Sequence, residues 1–236
     1  MLSGVITKTG IYGVLVLSTT IFLHDGQWGL LLAVLGGITM VLGAVLAVCS
    51  VDLKRTLACS SVSQIGFILV GVAMQCLLGE HNALAVDGTI LHILNHSIIK
   101  MVLFPAAGII HLSTHSFDFN EIRGFGRGKP ALALVMAVPM LSLAGLPLLS
   151  GYVSKTLLHE SIVEYIHLGQ GGEVFFSLLE WAFLFAGGLT LAYMLKIFIC
   201  LFWEKNPLSP EILGRTFDGI GRPADGLEPI TPLVKR

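Results

Sequence analysis

The sequence predicts an all-α, polytopic membrane protein with about six transmembrane helices, one of which is broken. Three observations predict this fold class. Only 12% of the 236 residues are charged and 54% are hydrophobic, whereas about a quarter of the residues in a soluble domain are charged. Apolar runs long enough to cross a bilayer recur along the chain. The loops between those runs alternate between basic and non-basic composition.

Six segments meet the requirement for a spanning helix, which is about 20 mostly apolar residues. They are residues 3–23, 29–50, 57–79, 89–113, 131–157 (interrupted by Gly and Pro) and 174–203. The first has no basic n-region and no small-residue cleavage site, so we interpret it as a spanning helix rather than a signal peptide. We therefore predict a transmembrane domain over residues 1–205. Residues 206–236, which are polar and contain several Gly and Pro, are predicted to form a polar tail.

The basic residues of the loops predict the orientation. The loops 24–28, 80–88 and 159–173 contain no Lys or Arg, whereas the alternate loops and the segment after residue 203 do. Under the positive-inside rule, this alternation puts the basic loops and the C-terminal tail on the cytoplasmic side of a cell (inner or plasma) membrane. The basic residues concerned are Lys54, Arg55, Arg123, Arg127, Lys129 and Lys205.

The charge balance and the cysteines exclude several classes of function. The net charge is −1 and no basic tract occurs, so we expect no nucleic-acid partner. The sequence contains no metal-ligand cluster, P-loop, Gly-rich dinucleotide turn or nucleophile motif. We therefore expect no metal, no cofactor and no redox site in this chain. Four cysteines lie far apart and are interpreted as small packing residues: Cys49, Cys59, Cys76 and Cys200.

The segment ILHILNHSIIKMVLFPAAG, residues 90–108, carries ionisable groups inside an apolar run. His92, His96 and Lys100 lie at positions i, i+4 and i+8, so they share one face of a helix over about 12 Å. Charged groups at this depth are costly in lipid and usually face a polar interior, and histidine titrates near physiological pH. We interpret the three residues as a proton path. The alternative is that a neighbouring helix satisfies them or that they snorkel to the interface.

Lys155 follows a stretch that should interrupt the fifth helix. Gly145, Pro147 and Gly151 fall within seven residues, which predicts a break. Unwound backbone at membrane depth has to face protein or a wet cavity, and broken helices with a nearby charge mark ion sites in transporters. We expect Lys155 to face the protein interior. A loop with Lys155 snorkelling outward is the alternative.

Other residues in the apolar segments carry weaker signals. Lys8, in the first segment, is equally consistent with an interfacial lysine and with a functional one. Glu180 and Lys196 lie about two turns from the ends of the last segment, so snorkelling explains both. Pairs of glycines indicate close helix packing; they are Gly145 with Gly151 and Gly187 with Gly188.

Several motifs, taken in order, resemble a known family. They are LSGVITKTGIYG (residues 2–13), VDLKRTLACSSVSQIGF (51–67), HILNHSIIKMVLFPAAG (92–108), LAGLPLLSGYVSK (143–155) and LTLAYMLKIF (189–198). Over about residues 1–205 the chain is similar to the antiporter-like, proton-translocating membrane subunits of three groups. These are respiratory complex I, Mrp-type cation/proton antiporters, and energy-converting hydrogenases with formate hydrogenlyase. The first and fourth motifs look closer to the hydrogenase and Mrp types than to the quinone-linked type.

The resemblance implies roles for five residues. Lys8 resembles the central lysine that links two half-channels in the family. His92, His96 and Lys100 resemble its connecting polar axis. Lys155 resembles the lysine on the second broken helix, near one exit, where some members carry a glutamate. On this basis the five residues would transfer protons.

The resemblance also implies a function and partners. The first hypothesis is proton translocation as a non-redox membrane subunit of a redox-driven complex, similar to NADH-quinone oxidoreductase or to a hydrogenase. The alternatives are a subunit of a multisubunit cation/proton antiporter and a non-conducting structural remnant. The expected partners are other membrane subunits, the lipid bilayer and protons, with Na+ as a second candidate ion.

One departure from the family concerns length. Family members have about fourteen helices in two inverted repeats, whereas this sequence begins at the helix that resembles the one with the central lysine. We therefore expect a C-terminal part of such a subunit, either truncated or completed by a second chain. Such a part is not expected to transport ions alone.

Overall fold

The structure, a computed structural model, describes residues 6–22, 25–169 and 171–204. In these ranges a 3-10 turn (Gly79–His81) precedes the fourth α-helix and a π-helical turn (Ile199–Trp203) continues the eighth. The described residues contain no strand beyond an isolated bridge between Asp52 and Asp118. The α-helices of these ranges are α1 (Thr7–Thr20), α2 (Gly26–Cys49), α3 (Leu53–Leu77), α4 (Ala83–Thr114), α5 (Phe119–Ile122), α6 (Pro130–Ala144), α7 (Ser150–His167) and α8 (Glu173–Phe198).

The long apolar helices match the predicted spans. Among the described residues, α2, α3, α4 and the run Glu173–Trp203 are long and apolar enough to cross a membrane, and α6 is a shorter apolar helix. Each of the first four predicted segments and the sixth contains one helix, and the fifth contains two, α6 and α7. The all-α membrane fold with one broken helix is therefore confirmed. The predicted tail, residues 206–236, lies outside the described residues.

Two helices extend further than the apolar runs predict. The fifth apolar segment predicts an end at residue 157, but α7 continues to His167, so most of the predicted loop 159–173 is helical. Ile162 and Tyr165 are buried in the core. Because this apolar face is buried, the helix continues although its other faces become polar. For the same reason α4 begins at Ala83, with Ala85 buried, rather than at residue 89.

α2 and α3 pack with their backbones in close contact. A Cβ built on Gly66 would lie 2.4 Å from the backbone nitrogen of Met40, and one on Gly43 would lie 2.4 Å from that of Ser63. Ser63 donates from Oγ to the carbonyl oxygen of Met40 at 2.9 Å. Small residues allow such approaches between helices in a membrane, and here they bring α3 into the centre of the bundle.

The two glycine pairs behave differently. A Cβ on Gly151 would lie 1.8 Å from the carbonyl oxygen of Ser142, so this glycine does mark a close contact between α6 and α7. Gly187 and Gly188 make no such contact with the described residues, because a Cβ on either would meet no described heavy atom within 4 Å. The described helices leave that face of α8 uncovered.

The basic loops meet at one end of the bundle. The N–H of Leu53 donates to the carbonyl of Phe117, and the N–H of Gly124 donates to the carbonyl of Cys200, both at 2.9 Å. The first bond ties the α2–α3 connection to the α4–α5 connection, and the second ties the segment after α5 to the end of the last helix. The basic residues at positions 54 and 55, in the first turn of α3, and those at positions 123–129, after α5, therefore lie at the same end of the bundle.

Candidate functional site

The ionisable face of α4 points into the protein. The side chains of His92, His96 and Lys100 are 2%, 0% and 1% exposed. The face that they share packs against α3 and α7, which supply hydrogen-bond partners to His92 and Lys100. The prediction that these residues share one interior face is confirmed.

His92 bonds directly to two neighbouring helices and, through Gln64, is connected to a third. Its Nδ1 lies 3.1 Å from Oγ of Ser154 on α7, and its Nε2 lies 3.0 Å from Oε1 of Gln64 on α3. The amide nitrogen of Gln64 in turn lies 3.4 Å from Oγ1 of Thr190 and 3.5 Å from the hydroxyl of Tyr193, both on α8. The imidazole is therefore held at both nitrogens: Nε2–H donates to the Gln64 oxygen, which can only accept, and Nδ1 can accept from the Ser154 hydroxyl.

His96 differs from His92, since neither of its ring nitrogens has a hydrogen-bond partner among the described residues. The side chain is fully buried. Both ring nitrogens are therefore available to bond to water or to exchange a proton, since an imidazole can donate and accept.

His92, His96 and Lys100 form a stripe along α4, and Lys100, its last residue, lies beside α3. Its Nζ donates to the carbonyl of Leu57 at 2.8 Å and also to Oγ of Ser60, and it lies 5.7 Å from the centre of the Phe104 ring. In the part of the chain that the structure describes, no carboxylate forms an ion pair with Lys100. A buried ammonium satisfied only by neutral acceptors can lose its proton without breaking an ion pair.

Lys155 lies at the break between α6 and α7. Its side chain is 8% exposed, and its Nζ donates to the carbonyl of Leu143 at 2.8 Å. Gly145, with φ +86°, ends α6 in a left-handed conformation that favours glycine. The N–H of Gly151 donates to Oγ of Ser142 at 3.2 Å, so the two helix ends lie side by side. The predicted break and the interior position of Lys155 are both confirmed.

Lys8, the fifth of the predicted residues, lies on α1. Its side chain is half-buried, and its charge acts on His92, His96 and Lys100. Lys155 acts on both histidines in the same way. The structure therefore brings the other four predicted residues within electrostatic range of His96.

Sequence reasoning missed the neutral residues that hold this group. Gln64 and Ser60 are fully buried on α3 and contact His92 and Lys100. Their i, i+4 spacing within an apolar helix is a signal that could have found them. Ser154 on α7 and Tyr193 on α8 had no comparable signal, because their role depends on tertiary packing.

Two side chains interpreted as snorkelling have protein partners instead. Oε1 of Glu180 lies 3.1 Å from Nε2 of His159 on α7. Lys196 donates to the carbonyls of Val48 and Ser50 at 2.8 and 2.6 Å. These carbonyls belong to the end of α2, where helix carbonyls lack intrahelical donors, so Lys196 caps that helix. In the described residues no group of three or more His, Cys, Asp or Glu side chains could hold a metal ion.

The fold and the site define a polytopic membrane protein in which lysines and histidines are gathered inside a helical bundle, next to a broken helix. The chain belongs to the family described as NADH:quinone oxidoreductase/Mrp antiporter transmembrane proteins, whose model matches residues 1–170. The resemblance to antiporter-like membrane subunits is thereby confirmed.

Individual relatives agree with this assignment. The chain is 35% identical over 235 residues to an Na(+)/H(+) antiporter subunit of Alkalihalophilus pseudofirmus, covering 99% of this chain and 43% of that protein. It is 31% identical over 211 residues to hydrogenase-4 component B of Escherichia coli, and this match covers 84% of this chain and 31% of that protein. The fold matches the Mrp complex of Dietzia sp. DQ12-45-1b with a TM-score of 0.67 at 30% identity, covering 81% of this chain and 20% of that one. The chain therefore spans less than half the length of these relatives.

Proposed function

We propose that the chain moves protons along the buried lysines and histidines as a membrane subunit of a multisubunit, ion-translocating complex. The residues that carry the protons are Lys8, His92, His96, Lys100 and Lys155. The proposal concerns the part of such a subunit that this chain represents.

The observation that carries the proposal is the environment of His96. Its imidazole is fully buried and has no hydrogen-bond partner among the described residues, yet it lies one helical turn from His92 and one from Lys100. An apolar residue would pack there without the cost of an unpaired polar group. A role in proton transfer explains an imidazole at this position, because the ring can accept a proton from one neighbour and pass it to the next.

The spacing and the partners of the stripe suit stepwise transfer. Each step along α4 is about 6 Å, which one hydrogen-bonded water can bridge. At one end Lys100 is held by Leu57 and Ser60, and toward the other end Ser154 connects His92 to α7, the helix of Lys155. All of these holding groups are neutral, so the number of protons on the stripe can change without breaking an ion pair.

Two kinds of complex are candidates. The 35% identity over 99% of the chain to an Na(+)/H(+) antiporter subunit favours a cation/proton antiporter. The similarity to hydrogenase-4 component B favours a subunit of a redox-driven complex. In either complex the partners are further membrane subunits and the surrounding lipid, and this chain supplies no redox chemistry of its own.

The proposed orientation follows from the basic loops. The start of α3, with basic residues at positions 54 and 55, bonds to the α4–α5 connection, and the basic segment 123–129 follows α5 directly. A cytoplasmic location of that end of the bundle satisfies the positive-inside rule. We extend the same orientation to the polar tail, residues 206–236.

The test is the substitution His96→Leu, with His111→Leu as the matched control on the same helix. Everted membrane vesicles from the native host keep the chain in its own complex. A fluorescent ΔpH probe then follows proton movement driven by added Na+ and, separately, by a respiratory substrate. His96→Leu should leave the amount of assembled complex unchanged and lower proton movement by about 100-fold, while His111→Leu stays at the wild-type rate. Wild-type proton movement with His96→Leu would favour a non-conducting structural role instead.

A further inference from the structure

A second polar pair lies beyond Lys155, between α7 and α8. Nε2 of His159 and Oε1 of Glu180 are 3.1 Å apart, and the two side chains are 24% and 28% exposed. Lys155, one turn before His159 on α7, is 8% exposed. The pair is therefore more accessible than the buried lysine that it follows.

The pair lies toward the end of the bundle that has no basic residues. α7 runs from the break toward the connection to α8, which contains no Lys or Arg. From Lys155 to His159 the helix rises about 6 Å in that direction. Glu180 lies about two turns inside α8 from the same connection. A carboxylate with a histidine partner at this depth is costly against lipid and is expected to face water or protein.

Two buried phenylalanines lie next to the pair and to the lysine. The ring of Phe67 is 5.0 Å from Nζ of Lys155 and packs edge-to-face against Phe183, with ring centres 4.7 Å apart. Phe183 in turn lies 6.0 Å from the ring of His159. The aromatic pair therefore contacts the buried lysine on one side and the accessible histidine on the other.

We infer that His159 and Glu180 form the release site of the proton path, which takes protons from Lys155 and delivers them to the non-basic side of the membrane. This inference rests on the proposed function. The ammonium of Lys155 loses a proton through a bridging water to Nδ1 of neutral His159. The imidazolium then passes its Nε2 proton to the carboxylate of Glu180, which releases it to water. Lys155 is left neutral, and both His159 and Glu180 return to their starting charges.

A purely structural pair makes a different prediction. The amide oxygen of glutamine accepts the same hydrogen bond from His159, so Glu180→Gln preserves a link between helices but cannot take up a proton. Aspartate keeps the acid and shortens the side chain by one methylene. Activity retained by Asp and lost with Gln therefore separates proton transfer from packing.

The experiment compares Glu180→Gln, Glu180→Asp and Lys155→Met with the control Glu173→Gln, an exposed carboxylate at the start of α8. Initial rates of proton movement are measured in everted vesicles of the native host and divided by the amount of assembled complex. We expect Glu180→Gln to lower the rate at least tenfold, Glu180→Asp to keep a third or more, and Glu173→Gln to match wild type.

Two results would overturn the inference, and they are distinguishable. Wild-type rates with Glu180→Gln, alongside loss with Lys155→Met, would remove His159 and Glu180 from the path and leave the proposed function standing. Wild-type rates with Lys155→Met would overturn the proposed function and the inference together. Should Glu180→Gln fail to assemble, His159→Gln decides the same question, because its amide can donate to Glu180 but cannot relay a proton.

Discussion

Lys155 on α7 donates to the carbonyl of Leu143 on α6 at 2.8 Å, across the break in the helix. The carbonyl of Leu143 is one of the last four of α6, which lack donors within their own helix. Lys155, near the start of α7, thus supplies a donor to one of the terminal carbonyls of α6. Because an ammonium has one more proton to donate than a neutral amine, we expect the conformation of the break to respond to the charge on Lys155.

The first prediction separates the two roles of Lys155. Lys155→Arg keeps a donor for the carbonyl of Leu143 but never loses its charge, so the complex should assemble and proton movement should fall about 100-fold. Lys155→Met should also lose proton movement, and its melting temperature should be lower than that of the Arg variant. Vesicle assays and thermal unfolding in detergent measure the two effects. Wild-type proton movement with Arg at this position would show that Lys155 does not need to release its proton.

The second prediction concerns the residue that orients His92. Gln64→Leu removes the acceptor at 3.0 Å from Nε2 of His92 and should lower proton movement about tenfold, equivalent to about 1.4 kcal/mol. Gln75→Leu is the matched control, because Gln75 is a buried amide on the same helix whose nitrogen donates to the carbonyl of Ala85. Equal rates for the two variants, each corrected for assembled complex, would remove Gln64 from the site.

The third prediction tests the close packing of α2 and α3. Gly66→Ala places a methyl group 2.4 Å from the backbone of Met40 and should destabilise the protein by about 1–3 kcal/mol. Gly187→Ala meets no described atom within 4 Å and should be neutral or slightly stabilising, since alanine favours a helix over glycine. Melting temperatures in detergent compare the two. A tolerated Gly66→Ala would mean that the helices can separate at this crossing at little cost.

The fourth prediction assigns Lys196 a structural role. Lys196→Met leaves the carbonyls of Val48 and Ser50 without this donor and should cost about 1–3 kcal/mol of stability. Proton movement per assembled complex should stay at the wild-type level. Lys196→Arg should restore most of the stability, because a guanidinium can donate to both carbonyls. A loss of proton movement with unchanged stability would instead place Lys196 on the proton path.

Short-range patterns made part of the site predictable. The spacing of His92, His96 and Lys100 fixes a shared helical face, and the cluster of Gly145, Pro147 and Gly151 fixes the break. Both depend on residues within about ten positions of one another, so helical geometry alone relates them.

The remaining part depends on contacts between distant segments. Gln64 and His92 are 28 positions apart, and Lys196 and Val48 are 148 apart. The periodicity of a single helix cannot predict a contact between residues that are so far apart in the sequence. An ionisable residue near a helix end therefore looked like a snorkelling side chain, although Lys196 caps another helix and Glu180 binds a histidine.

The measurement that tests the proton path most directly is proton flux in proteoliposomes that contain the purified complex. Wild type, Lys100→Met and the control Lys54→Met, at an exposed position in the first turn of α3, are reconstituted at equal protein content. Internal pH is then followed under an imposed sodium or proton gradient. A path through the buried stripe predicts that Lys100→Met lowers the flux about 100-fold, with the complex still assembled and Lys54→Met at the wild-type rate. Wild-type flux with Lys100→Met would contradict it.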